Sequence, residues 1–169
     1  MQPIVHLAVG YLCYAASVRL RRRGRPADTP TAAALVGALL PDLIDKPIWL
    51  AGLADVGRTV GHTLLVAGPL LAVAWWYAAA RDRRSLGVAF AIGLGSHLAA
   101  DVPWHVLAGD YRELGFILWP LTPMAPYAGT KSLAAVSGVE ITTLWLEAIV
   151  FAAGVALWWV DGRPGIESG

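Results

Sequence analysis

Residues 63–84 read TLLVAGPLLAVAWWYAAARDRR. The first 18 carry no charge, and the run closes on Trp75, Trp76 and Tyr77, followed by Arg81, Arg83 and Arg84. At about 1.5 Å of rise per residue a helix of this run spans about 27 Å, close to the hydrocarbon thickness of a bilayer. Indole and phenol rings settle at the headgroup level and guanidinium groups stay in water, so this ending suits a membrane boundary. The stretch predicts a membrane-crossing helix.

Composition extends that reading to the whole chain. Of 169 residues, 57% are hydrophobic and 15% charged, with a net charge of +1. Soluble domains carry about 25% charged residues, so an ordinary soluble domain is excluded, as is disorder. The single Cys13 excludes a disulfide framework and cysteine-based zinc sites. Positive charge is too small and too clustered to suggest direct nucleic-acid binding.

Working outward, four further runs predict helices. Residues 4–18 are apolar except for His6 and precede Arg19, Arg21, Arg22, Arg23 and Arg25. A secretory signal has its basic residues before the apolar run and a small-residue cleavage site after it, so this segment reads as a retained helix. Residues 31–53 form a second span, which Pro41 and Pro47, with Asp42, Asp45 and Lys46 among them, are expected to break. Residues 85–100 contain His97 and lead into Asp101; residues 138–160 hold Glu140 and Glu147 and finish in Trp158 and Trp159. The stretch 105–137 is too rich in proline to span and is expected to lie on the bundle as a loop. The expected fold is all-α, a polytopic bundle of about five transmembrane helices in one domain, residues 1–160, with a disordered tail at 161–169. The two basic clusters lie two crossings apart and belong on the cytoplasmic side, which puts the N-terminus outside and the C-terminus inside.

Six ionisable residues then fall in one layer. His6, Asp42, Asp45, His62, His97 and Asp101 come out about 16–27 Å from the cytoplasmic boundary, toward the outer leaflet. His97 and Asp101 are four apart, as are Arg58 and His62, and Asp42 and Asp45 are three apart, spacings that share a helix face. Ionisable groups inside a membrane are costly and mark function by default. Three imidazoles and three carboxylates suit a divalent transition metal, zinc first, as one ion or two. His105 and Glu140 are accessory candidates near the same layer. Structural readings compete: a headgroup-level His6, an Asp–Lys pair in a loop, a helix-capping His62, a packing pair of His97 and Asp101.

The order of the motifs HLAVGYL (6–12), LLPDLIDKP (39–47), GRTVGHTLL (57–65), GLGSHLAADVPWH (93–105) and ILWPLTP (117–123) resembles the LexA-binding, inner-membrane-associated hydrolases, also described as membrane-bound metal-dependent hydrolases. The resemblance implies a helical inner-membrane protein with metal ligands at His6, Asp42, His62, His97 and Asp101, and a LexA-type partner. Two departures stand out: the second acid of the PD segment comes three residues on, at Asp45, and Gly57 precedes Arg58 where that family often has His. The motifs are also similar, in residue type and order, to zinc-dependent phospholipases C.

The expected activity is metal-dependent hydrolysis of a phosphoester or other ester in an amphipathic or lipid-linked substrate. Asp45 is expected as the general base, and Arg58 as the group that holds a substrate phosphate. Trp119 and Pro120, in the 105–137 loop, are expected to cover the site. The alternatives are a metal or proton transporter that uses the same ligands, and a scaffold whose buried ions fix helix packing.

Overall fold

A computed structural model describes residues 2–102, 106, 109, 111–124 and 141–166. Every regular element among them is helical: α1 (Pro3–Leu20), α2 (Asp28–Leu50), α3 (Leu64–Ala80), α4 (Arg84–Ala100), a 3-10 turn at Arg112–Leu118, and α5 (Ile141–Val160). The interface between α2 and α4 is the largest; α1 packs on both, α5 on α1, and α3 on α4. Ala34 faces Gly93 and Ala38 faces His97, so α2 and α4 run in the same direction. Gln2 meets Glu147, Ala8 meets Gly154 and Arg19 meets Asp161, so α1 and α5 run together as well.

Small residues allow these approaches. A methyl group on Gly93 would overlap the Ala34 carbonyl oxygen, and one on Gly37 would meet the Phe90 carbonyl. Close backbone contact through Gly and Ala is how helices pack when large side chains gain nothing by leaving lipid.

Contrary to the break expected at Pro41–Pro47, α2 is one helix of 23 residues. Proline removes one ladder hydrogen bond and crowds the carbonyl four residues earlier. Packing outweighs that local cost: Thr31, Ala34, Ala38, Pro41, Asp42 and Asp45 are all buried along one face. A break would turn Asp45 off that face.

The chain after α5 does not leave the bundle at Asp161, where the disordered tail was expected to begin. Asp161 is buried; it accepts from the Tyr11 hydroxyl and the Arg19 guanidinium, each at 2.6 Å. The Gly165 amide donates to Asp28 at 2.9 Å. Residues 167–169 lie outside the described residues.

Polarity is inverted relative to a soluble domain. His6, Thr31, Asp45, Thr59, His62, Thr63 and His97 are among the fully buried side chains, while Val73, Trp76, Trp145, Leu146, Ile149 and Trp159 are each at least 60% exposed. Large exposed apolar side chains in this number suit a membrane or a partner surface. Among the described helices, only α1 is both long and apolar enough to cross a bilayer by those measures alone, with 18 residues of mean hydropathy 1.3; α3 and Leu144–Val160 are apolar but shorter.

Candidate metal centre

Four segments deliver the centre. α1 supplies His6, α2 supplies Asp42 and Asp45, the connection before α3 supplies His62, and α4 with its C-cap supplies His97 and Asp101. None of these six is more than 5% exposed. Among the described residues, two groups of donor atoms are compact enough for one ion, with all distances within 4.8 Å: His62, His97 and Asp101, and His6, Asp42 and His97.

Hydrogen bonds fix how each ring is turned. The Nδ1 of His97 lies 2.6 Å from the Ala38 carbonyl oxygen, which can only accept, so Nδ1 carries the proton and a neutral ring aims the Nε2 lone pair inward. The Nδ1 of His62 lies 2.7 Å from Oδ2 of Asp45, so it too carries a proton and the ring turns its Nε2 inward. The two Nε2 atoms then face each other at 3.0 Å, with Oδ2 of Asp101 3.1 Å from one and 3.7 Å from the other. Two lone pairs and a carboxylate oxygen at such distances repel unless a cation or a proton lies among them. His6 stacks on His97 with ring centroids 3.8 Å apart; its Nε2 is 3.2 Å from Asp101, and among the described residues neither nitrogen makes a well-aligned hydrogen bond. A donor set of imidazoles and carboxylate with unsatisfied buried nitrogens fits a divalent transition metal.

Asp45 is placed differently from the free base expected of it. Its Oδ2 accepts from the Thr59 amide at 2.6 Å and from His62, and its Oδ1 from the Thr59 hydroxyl at 3.0 Å and the Gly61 amide at 2.9 Å. Both oxygens are committed to holding the Thr59–His62 turn against α2. A side chain on Gly61 would strike the Pro41 carbonyl, so glycine lets that turn approach. Asp42 has looser surroundings: its Oδ1 is 3.9 Å from Nε2 of His62, and Oδ2 pairs with Lys46 at 2.7 Å.

Arg58 bridges to Asp101, with Nε 3.2 Å from Oδ2 and Nη2 3.4 Å from Oδ1. The guanidinium therefore grips a candidate ligand, where an anchor for substrate phosphate was expected. Asp101 and His62 stand just outside the helices. Burial alone would raise the Asp101 pKa, but His6, His62 and Arg58 beside it hold the carboxyl well below the usual carboxylate range. Burial likewise opposes charge on His62, yet the carboxylates of Asp101 and Asp45 raise its pKa.

Several contributors escaped the sequence reading. Phe116, in the 3-10 turn, is fully buried and sets its ring edge-on to His62, with centroids 6.3 Å apart. The Thr63 hydroxyl, donating to the Ile117 carbonyl at 3.2 Å, ties that turn to the start of α3. Phe116 thus covers the His62 side from within the 105–137 stretch that was expected to cover the site; its only sequence signal is an aromatic within a short apolar run. Thr59 lies inside the GRTVGHTLL motif and was legible only as a spacer. Glu147 accepts from the Gln2 backbone amide at 3.2 Å. His105 and Glu140 lie outside the described residues.

The described residues define the class as a helical bundle with exposed apolar faces and a buried His/Asp cluster. The family model of the YdjM inner membrane proteins matches residues 1–164, and the chain belongs to that family. No curated protein and no solved structure matches it.

Proposed function

We propose that this is a polytopic inner-membrane hydrolase that uses a divalent metal, zinc first, to cleave a phosphoester or other ester in a lipid or lipid-linked substrate. The carrying observation is the convergence of the His62 and His97 Nε2 lone pairs on Asp101, each ring held by its Nδ1 proton. Three protein ligands are the usual protein contribution to a catalytic zinc site, water or substrate taking the fourth position. His97 has a single nitrogen free, so the two candidate triads cannot each hold an ion through it; His62, His97 and Asp101 are the ligand core. When bound, the ion supplies Lewis acidity at the scissile oxygen and makes water a competent nucleophile near neutral pH.

The chain's own residues do the rest. Asp45 and the Ala38 carbonyl orient His62 and His97, as outer partners of metal-binding histidines do. Arg58 orients Asp101. Asp42, whose Oδ2 is paired with Lys46 while its Oδ1 stands 3.9 Å from His62, takes the general-base role that Asp45 is too committed to fill, and His6 completes the wall beside it. Phe116 keeps water from the His62 side.

The alternating helix directions and the apolar exterior support five crossings, with the arginine clusters at the cytoplasmic end and the centre toward the outer leaflet. A substrate with one end in lipid reaches a centre at that depth sideways. The test is hydrolysis of a panel of phospholipids and lipid-linked phosphates by purified protein with zinc. Activity in wild type that is lost in His97→Ala supports the reading; equal activity in the two proteins, or none on any ester by metal-loaded wild type, overturns it.

A further inference from the structure

At the end of the bundle away from the His/Asp centre, α1, the α1–α2 connection and the start of α4 enclose an open cavity of about 220 Å³. Arg21, Arg23 and Arg25 line it together with Tyr14, Ser17 and Ser85. Fifteen residues of α1 separate Arg21 from His6, about 22 Å of helix rise.

Two features make this more than a solvated basic run. Arg19 of the same cluster is ion-paired with Asp161, but among the described residues Arg21, Arg23 and Arg25 have no ion-pair partner. The turn that presents them is also fixed. The Arg23 amide donates to the Val18 carbonyl at 3.1 Å and the Arg22 amide to Arg19 at 2.8 Å, which closes α1 in a Schellman motif. Arg22 holds the left-handed position, φ 53°, that glycine usually takes. The chain bears the strain of an arginine there, and Arg21 and Arg23 flank it at the rim.

We infer that this cavity binds the phosphate headgroup of an anionic phospholipid. Three guanidinium groups match phosphate oxygens with paired N–H donors, and the hydroxyls of Ser17 and Ser85 add neutral donors. Val18 and Val88 supply an apolar wall beside the charge, which suits a headgroup that stays attached to its acyl chains. A basic pocket between helices at a membrane surface is the arrangement that recognises such lipids. The inference uses membrane embedding but no metal chemistry, so it and the hydrolase reading fail separately.

The experiment is thermal unfolding of the full chain in neutral detergent with short-chain phosphatidylglycerol, phosphatidylcholine of equal chain length, or inorganic phosphate. Phosphatidylglycerol well above its Kd is expected to raise the wild-type Tm by about 5–10 °C. Arg21→Gln/Arg23→Gln/Arg25→Gln is expected to lose most of that shift, and Arg83→Gln/Arg84→Gln, whose arginines lie outside the cavity, to keep it. Should the triple variant not be recoverable, Arg21→Gln and Arg25→Gln singly are each expected to reduce the shift. An undiminished shift in the cavity variants, an equal loss in the control, or an equal shift with phosphatidylcholine or with inorganic phosphate overturns the inference.

Discussion

Replacing Asp45 by Asn isolates what the carboxylate does, because the change removes charge and one acceptor with almost no change in shape. Asp45 is fully buried and accepts four hydrogen bonds between 2.6 and 3.0 Å. An asparagine keeps one acceptor oxygen and, whichever way it is turned, points its NH₂ at a backbone N–H, that of Thr59 or that of Gly61. One bond is lost outright and the others lose the buried charge that strengthens them, so a destabilisation of about 3 kcal/mol is expected. For a chain of this size that lowers Tm by about 6–12 °C. Losing the orientation of His62 should also weaken metal affinity by about 10–100-fold. Both are read on purified protein in detergent, one by a thermal melt and the other by zinc competition against a chromogenic chelator. A Tm within about 2 °C of wild type together with an affinity within about threefold would refute the reasoning, since both fall well short of these ranges.

Other expectations follow from single contacts. Phe116→Ala empties a fully buried position against His62 and should cost about 3–5 kcal/mol, measured as a fall in Tm. Gly93→Ala forces α4 off the Ala34 carbonyl and should destabilise by about 1–3 kcal/mol or abolish accumulation in the membrane, read by quantitative immunoblot. Tyr11→Phe removes the hydroxyl that donates to Asp161 and should cost about 1.5–3 kcal/mol, leaving metal content unchanged by elemental analysis. Arg58→Lys exchanges a two-point grip on Asp101 for a point charge and should lower metal affinity more than it lowers Tm.

How much of this could be read from sequence depends on the range of the interaction. Helix positions were legible because uncharged runs of 15 or more residues leave few alternatives, and so was the gathering of His6, Asp42, His62, His97 and Asp101 in one cluster. The continuity of α2 was not: the local rule for proline is correct, and packing of the buried Thr31–Asp45 face overrides it. The role of Asp45 was also hidden, because its partners are the backbone amides of Thr59 and Gly61, which have no side-chain signature. The same limit applies to Ala38, whose carbonyl sets the tautomer of His97. Phe116 and Asp161 reach their places through contacts across 54 and 150 residues, which no local pattern encodes.

The central claim is that His62, His97 and Asp101 hold a metal ion. Elemental analysis of protein extracted in mild detergent without chelators tests it most directly, with wild type beside His97→Ala and the remote Tyr11→Phe. The prediction is a stoichiometric divalent metal, zinc first, retained in wild type and Tyr11→Phe and lost in His97→Ala. Wild type that is metal-free and binds no zinc on titration, or a His97→Ala protein with the wild-type metal content, would contradict it.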